Sequence, residues 1–157
     1  MSKWRPSITT GIVGIFIVVL IAVGFNFLLK NSTPSTQVQL GSGMFKARVV
    51  TSDVDREIGL SGVEKLDTHE ALLMAFPGDD KWGIWMKDML IPLDIAWLDS
   101  NKKVVYIETN VSPELSTTKT FRPKVPARYV LEMSAGSVQR AGIKINQVAS
   151  FTLNGDE

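Results

Sequence analysis

Hydrophobic and polar positions fall into two regimes along the chain. Residues 8–29 (ITTGIVGIFIVVLIAVGFNFLL) run for 22 positions without a charge. A helix of that length spans about 33 Å, enough for a bilayer core of about 30 Å, so this run is read as a transmembrane helix. Its polar members, Thr9, Thr10 and Asn26, lie toward its ends. Beyond it the apolar runs are short and are broken by turn residues, the pattern of strands.

Phe45, Ala47 and Val49 alternate with Lys46, Arg48 and Val50, the two-residue period of a half-buried strand. Ser52 and Asp55 fit a capping box that opens a short helix through Ile58, stopped by Gly59. Residues 71–76 (ALLMAF) read as a buried strand closed by the turn Pro77-Gly78-Asp79-Asp80. Residues 82–89 and 91–98 read as two paired strands meeting near Pro92, which requires a bulge, bend or edge. A turn at residues 99–102 leads into a strand over 104–111, and residues 112–126 form a long polar loop. A strand over 128–133, a helical turn over 137–141 and a last strand over 147–153 complete the pattern. The expected fold is mainly β, an antiparallel sandwich or barrel-like domain with one or two short helices. The helices look too short to serve as crossovers of a parallel sheet.

Charge orients the apolar run. Lys3 and Arg5 precede it and Lys30 alone follows closely. The positive-inside rule places residues 1–7 in the cytoplasm and the folded part outside the cell membrane, a single-pass arrangement. The alternative is a cleaved signal peptide. The run exceeds the about 7–15 apolar residues of such a peptide, and Ala22-x-Gly24 is a poor cleavage site. Residues 30–43 are uncharged after Lys30 and rich in Ser, Thr, Gln, Gly and Pro, which reads as a flexible tether to a domain over 44–157.

The net charge of +1 conceals a mildly acidic domain, since residues 37–157 hold 14 bases and 16 acids. That balance argues against a nucleic-acid reader with a broad basic face. The absence of cysteine removes disulfides, thiolate nucleophiles and thiolate metal sites. A single histidine, His69, excludes a multi-His site within one chain, and it reads as a solvated loop residue beside Glu70. There is no nucleophile elbow, phosphate loop or HExxH motif, and no cofactor or metal is expected.

Residues 82–99, WGIWMKDMLIPLDIAWLD, resemble the signature of the domain-of-unknown-function family 192: Phe or Ile, then W-M-K-N-T, two residues, and P-L-D. The matching residues are Trp85, Met86, Lys87, Pro92, Leu93 and Asp94. Gly59-Leu60-Ser61-Gly62, Ala75-Phe76-Pro77, Lys103-Val104-Val105, Pro113, Tyr129-Val130-Leu131-Glu132, Ala135-Gly136 and Gly142-Ile143 resemble further elements of that family, in register over roughly residues 47–151. The resemblance implies a compact, mostly β domain, often secreted or membrane-tethered in prokaryotes, and no known activity. Two positions depart from it. The family's Asn-Thr pair is Asp88-Met89, and Val63 stands where an arginine is usual.

Four residues stand out as binding candidates: Trp85, Lys87, Asp94 and Glu132. Asp94 and Glu132 each interrupt an apolar strand, and a buried carboxylate needs a cation or several donors. Lys87 or backbone amides near Pro92 could serve Asp94. Trp82 and Trp85 have opposite parity in a regular strand, so one of them is free to face a ligand. The favoured reading is a membrane-tethered module that binds a small molecule or an envelope glycan, with Trp85, Lys87, Asp94 and Glu132 around one pocket. A second is an envelope hydrolase using Asp94 and Glu132 as an acid/base pair. A third is a structural or accessory subunit of an envelope complex, marked by a large exposed apolar patch.

Overall fold

The computed structural model describes residues 34–115 and 119–153. The apolar run 8–29, the leading residues 1–7 and the start of the expected tether, 30–33, lie outside the described residues. Among the described residues no helix is long and apolar enough to cross a membrane.

Among the described residues eight strands and two short α-helices follow one another: β1 (Ser35–Leu40), β2 (Gly43–Val50), α1 (Asp53–Ile58), β3 (Glu70–Asp80), β4 (Ile84–Trp85), β5 (Leu93–Leu98), β6 (Val104–Val111), β7 (Thr120–Phe121), β8 (Ala127–Ser134) and α2 (Ser137–Arg140), with a 3-10 turn at Pro113–Leu115 between β6 and β7. Six of the strands form one sheet in the order β1-β2-β3-β8-β5-β6, and β4 and β7 form a separate two-stranded ribbon.

The expected tether is corrected. Ser35–Leu40 is a strand, paired antiparallel with β2 from Ser35↔Arg48 to Leu40↔Gly43. Val38 and Leu40 are buried while Gln37 and Gln39 are exposed, so a strand period lies beneath the uncharged, linker-like composition. The folded unit accordingly begins at Pro34 rather than Met44. Gly41 and Ser42 make the two-residue hairpin loop. Gly41 has φ +60°, and a Cβ there would stand 2.2 Å from the Ala141 carbonyl oxygen, so only glycine lets the hairpin seat against the end of α2.

The purely antiparallel arrangement is also corrected. β2 and β3 run parallel, Lys46↔Glu70 to Val50↔Met74. The chain from Thr51 to His69 makes the crossover and includes α1. Its length, rather than that of α1 alone, meets the requirement of a dozen or so residues for a parallel return. Ser52 caps α1 as the pattern predicts: its Oγ accepts from the Asp55 amide at 3.1 Å. Gly59 closes the helix at φ 55°.

The last expected strand appears as two single bridges, Val148 to Lys103 beside β6 and Ser150 to Gln39 in β1. This strip joins the two edges of the sheet. Val38, Phe45, Leu73, Leu98, Leu131 and Phe151 pack on the enclosed side. On the other side Leu72, Ile95, Trp97 and Val130 pack with Ile84 of β4 and Phe121 of β7. Both faces of the central strands are thus covered, which explains why β5 is buried at all six positions.

The strand expected over 82–89 shrinks to Ile84–Trp85, and its partner is β7 within the expected polar loop, Ile84↔Phe121 and Trp85↔Thr120. β5 pairs instead with β6 and β8. Asp88 at φ 56° turns the chain out of strand geometry. That turn is held to the middle of the crossover, just past α1: Gly62 N–H donates to the Asp88 carbonyl at 2.9 Å and Ser61 Oγ to the Lys87 carbonyl at 3.0 Å. The left-handed region tolerates Asp and Asn best among residues with a side chain, so Asp88 suits this turn.

Candidate functional site

Asp94 is 1% exposed and Glu132 3%, as their apolar neighbours predict. Their surroundings differ. β5 and β8 pair Asp94 with Met133 and Ile95 with Glu132. Side chains alternate across a strand, so Asp94 and Glu132 emerge on opposite faces of the sheet. The proposed acid/base pair is overturned, because the sheet separates its members.

Asp94 belongs to the fold. One carboxylate oxygen accepts from the Asn110 amide at 2.8 Å and the other from the Val138 amide at 2.8 Å. The first bond holds β6 at Asn110, which has φ 50°, near the register shift between Leu93 and Ile95. The second satisfies the start of α2, whose N-cap, Gly136, supplies no side-chain acceptor. Of the two partners considered, backbone amides rather than Lys87 answer this carboxylate. Asp94 therefore leaves the candidate binding set.

Glu132 faces a cleft of about 370 Å³ between α1 and the β4 segment, lined also by Met74, Ile84, Trp85 and Lys87. Three of the four candidates, Trp85, Lys87 and Glu132, therefore converge there. Glu132 Oε2 has no hydrogen-bond partner. Burial pushes the carboxyl up to about 7, opposed in smaller part by the charge of Arg48. Arg48 occupies the same cross-strand row, through Leu72, on the same face. Its guanidinium is turned to the Gly59 carbonyl at 2.7 Å, tying β2 to the end of α1. A Cβ at Gly59 would lie 3.9 Å from Glu132 Oε2, so the bare glycine keeps space beside the carboxyl.

Aromatic rings form the upper part of the cleft. Phe76 and Trp82 stack with centroids 4.3 Å apart and planes 12° from parallel. The Trp82 indole N–H donates to the Gly78 carbonyl at 3.0 Å. Trp85 is 43% exposed, the outward-facing member of the tryptophan pair. Lys87 Nζ lies 5.6 Å from its ring centroid. Trp97, by contrast, is core, its indole N–H donating to the Trp82 carbonyl at 2.9 Å.

Two further bases line the cleft and escaped the sequence pattern, Arg56 and Arg122. Arg56 is committed to structure: it donates to the Ala75 carbonyl at 2.8 Å, bonds the Thr51 carbonyl and Asp53 and lies 4.8 Å over Phe76. Its place on α1, three residues after Asp53, was the available signal. Arg122 donates to the Lys81 carbonyl at 3.0 Å and lies against Gly83, where a Cβ would meet its guanidinium carbon at 2.8 Å. Nothing in the residue pattern around Arg122 marks it. Among the described residues neither Lys87 nor Arg122 is paired with a carboxylate.

His69 lines a different, smaller cleft of about 250 Å³ with Ser137 and Arg140. Among the described residues there is no group of three or more potential metal-ligating side chains.

The fold and cleft define a mainly β domain with a mixed sheet and a small-molecule-sized concavity. Residues 36–151 match the model of domain of unknown function 192, described as an uncharacterized ACR, and the chain belongs to that family. It is 26% identical over 109 residues to UPF0127 protein TK1120 of Thermococcus kodakarensis, a match covering 68% of this chain and 65% of that protein, just under two thirds of the relative's length. Two crystal structures share the fold. One is a candidate transcription regulator from Sinorhizobium meliloti, with TM-score 0.68 at 23% identity over 74% of this chain and 92% of that one. The other is a protein of unknown function from Novosphingobium aromaticivorans, with TM-score 0.68 at 24% identity over 74% of this chain and 83% of that one.

Proposed function

We propose that this chain is a membrane-tethered binding module that holds a small molecule or a segment of envelope glycan in the cleft over Glu132. The observation that carries the reading is Glu132 Oε2, a buried polar atom without a partner at the floor of the cleft. Leaving such an atom unsatisfied costs about 1–3 kcal/mol, a penalty that a polar ligand removes. The volume of about 370 Å³ falls in the range of small-molecule sites, about 300–1,000 Å³. Apolar walls and a few convergent polar groups complete the usual make-up of such a site. The uncharged run 8–29 supplies the tether in this reading, with the domain on the extracytoplasmic side.

The test is a small-molecule screen on the full chain in detergent micelles, followed by heteronuclear NMR. Ligands of the cleft shift the indole N–H signals of Trp82 and Trp85. In Lys87→Ala and Glu132→Leu those shifts shrink while the spectrum stays folded. Hits that leave both indoles unmoved, or a screen with no hits, defeat the reading. The latter result favours the structural or accessory role. For the tether, labelling from outside intact cells must reach a cysteine placed at Lys124; labelling only after lysis defeats the topology.

A further inference from the structure

The chemistry of the cleft is uneven from floor to mouth, and that gradient restricts its guest. At the floor, Glu132 Oε2 lacks a partner. A carboxyl held near neutrality by burial donates in one protonation state and only accepts in the other. A hydroxyl, which can donate and accept, answers both states. A carbonyl or an ammonium answers only one.

Around the middle the cleft has flat apolar surfaces. Phe76 and Trp82 are stacked on each other, and Trp85 is left 43% exposed. An exposed indole offers area at small entropic cost and suits a ring with an apolar face. The mouth carries three bases, Arg56, Lys87 and Arg122, and two exposed acids of α1, Asp53 and Glu57. Of the three bases there, Arg56 is consumed by Asp53 and by carbonyls. Lys87 and Arg122 have no carboxylate partner among the described residues. Lys87 instead rests near the Trp85 ring, and Arg122 shares its guanidinium with a single carbonyl, that of Lys81.

From this we infer that the guest is an acidic sugar: a hydroxylated ring against Trp85, one hydroxyl bonded to Glu132, and an anionic substituent between Lys87 and Arg122. The inference rests on the binding role proposed for the cleft and names the ligand class that would fill it. A neutral sugar leaves the two cations unanswered, an amino sugar meets repulsion from them and finds a counter-charge only on the α1 side at Glu57, and an aromatic acid gives Glu132 no hydroxyl.

The experiment titrates the full chain in micelles with glucuronate, glucose, glucosamine and benzoate, following the Trp82 and Trp85 indole signals. Glucuronate is expected to bind about tenfold more tightly than glucose, the effect of roughly 1.4 kcal/mol from exposed charge pairing. That preference falls toward onefold in Lys87→Met and as salt is raised from 0.05 to 0.5 M, on the order of a halved screening length or less. Glu132→Leu, which has no group to bond a hydroxyl, weakens glucuronate and glucose alike by up to about tenfold and leaves their ratio unchanged. Equal binding of glucose and glucuronate overturns the acidic-sugar assignment, as does tighter binding of glucosamine or benzoate. Those outcomes leave the cleft a binding site. Should none of the four probes move the indoles while a different small molecule does, the sugar class itself is wrong; should nothing move them, the binding role fails with it. Lys87 is exposed, so the Lys87→Met variant is expected to fold normally, and its unchanged melting temperature is the control.

Discussion

Asp94 and Glu132 are two carboxyls buried to nearly the same degree, one register step apart on neighbouring strands, yet they do opposite things. Asp94 looks into the enclosed side of the sheet and gives each oxygen a backbone amide, those of Asn110 and Val138. Glu132 looks toward the cleft, and its Oε2 has no partner. A satisfied buried carboxylate joins elements of the fold; an unsatisfied one raises the energy of the fold and leaves a hydrogen bond still to be made. Burial alone therefore identifies neither. The partners do.

The sharpest way to break this comparison is Asp94→Ala. Two charge-assisted bonds disappear, and two amides are left without acceptors in the interior. The expected loss is about 3–5 kcal/mol, measured as a shift of the chemical-denaturation midpoint. Unpinning of Asn110 and of the start of α2 should appear as faster amide exchange at Asn110 and Val138. A loss under about 1 kcal/mol would place Asp94 outside the framework of the fold.

Glu132→Gln should act in the reverse direction. Burial pushes the carboxyl up to about 7 in the fold from its ordinary value of 4.5, because burial raises it more than Arg48 lowers it. A raised acid pKa means that the folded state holds its proton longer than the unfolded chain. Its favourable contribution is complete below about 4.5, declines as pH rises through the window, and is gone above about 7. Glutamine carries no such dependence. The variant should thus gain stability relative to the parent as pH rises, reaching on the order of 3 kcal/mol at pH 8, with no relative change below pH 4. The charged groups to control for are Arg48 on β2 and Asp53, Arg56 and Glu57 on α1, with Lys87 and Arg122 across the cleft. Denaturation midpoints at pH 4, 6 and 8 decide it. A gap between parent and variant that stays constant across that range means Glu132 is not the titrating group.

Much of this architecture was legible along the chain and some was not, for identifiable reasons. The alternation of β2, the cap at Ser52 and the turn at Asp99 are local patterns, and each appears in the structure. Both buried carboxyls were marked by the same sign, a polar residue inside an apolar strand. Which face each one takes depends on the pairing Ile95↔Glu132 and on the register shift after Leu93. Those are long-range facts with no local trace. β1 was obscured because glutamine and threonine resemble a linker in composition while alternating like a strand. The parallel β2-β3 pair leaves little local trace, because its crossover holds a helix of only six residues and reaches back by its full length over residues 51–69. Of the four candidate residues, Trp85, Lys87 and Glu132 line one cleft. Arg122 reaches the cleft only through the β4-β7 ribbon, and that ribbon was hidden in what reads as polar loop.

Gly59 offers a smaller test on the Glu132 side. It closes α1 at φ 55°, and a Cβ would contact the Met74 methyl at 3.4 Å and approach Glu132 Oε2 at 3.9 Å. Gly59→Ala is expected to cost about 1 kcal/mol from backbone strain. Since the added methyl also intrudes beside the carboxyl, ligand affinity should fall by more than the stability change would suggest, read in the same indole titration. Equal affinity in parent and variant would place the guest away from the floor of the cleft.

The smallest effect on the fold, and the most telling contrast with Asp94, belongs to Lys87. Its ammonium is exposed, pairs with no carboxylate among the described residues and lies 5.6 Å from the centroid of the neighbouring indole ring. An exposed cation–π contact contributes about 0.5–1 kcal/mol at most, and surface truncations are usually neutral to within about 0.5 kcal/mol. Lys87→Ala should therefore leave the denaturation midpoint nearly where it was, while anionic guests of the cleft lose affinity. Asp94→Ala and Lys87→Ala then separate two roles that the family motif places seven residues apart: one residue builds the domain, and the other gives its surface something to do. If Lys87→Ala destabilises the chain as Asp94→Ala does, the motif serves folding throughout, and the cleft is a by-product of packing rather than a site.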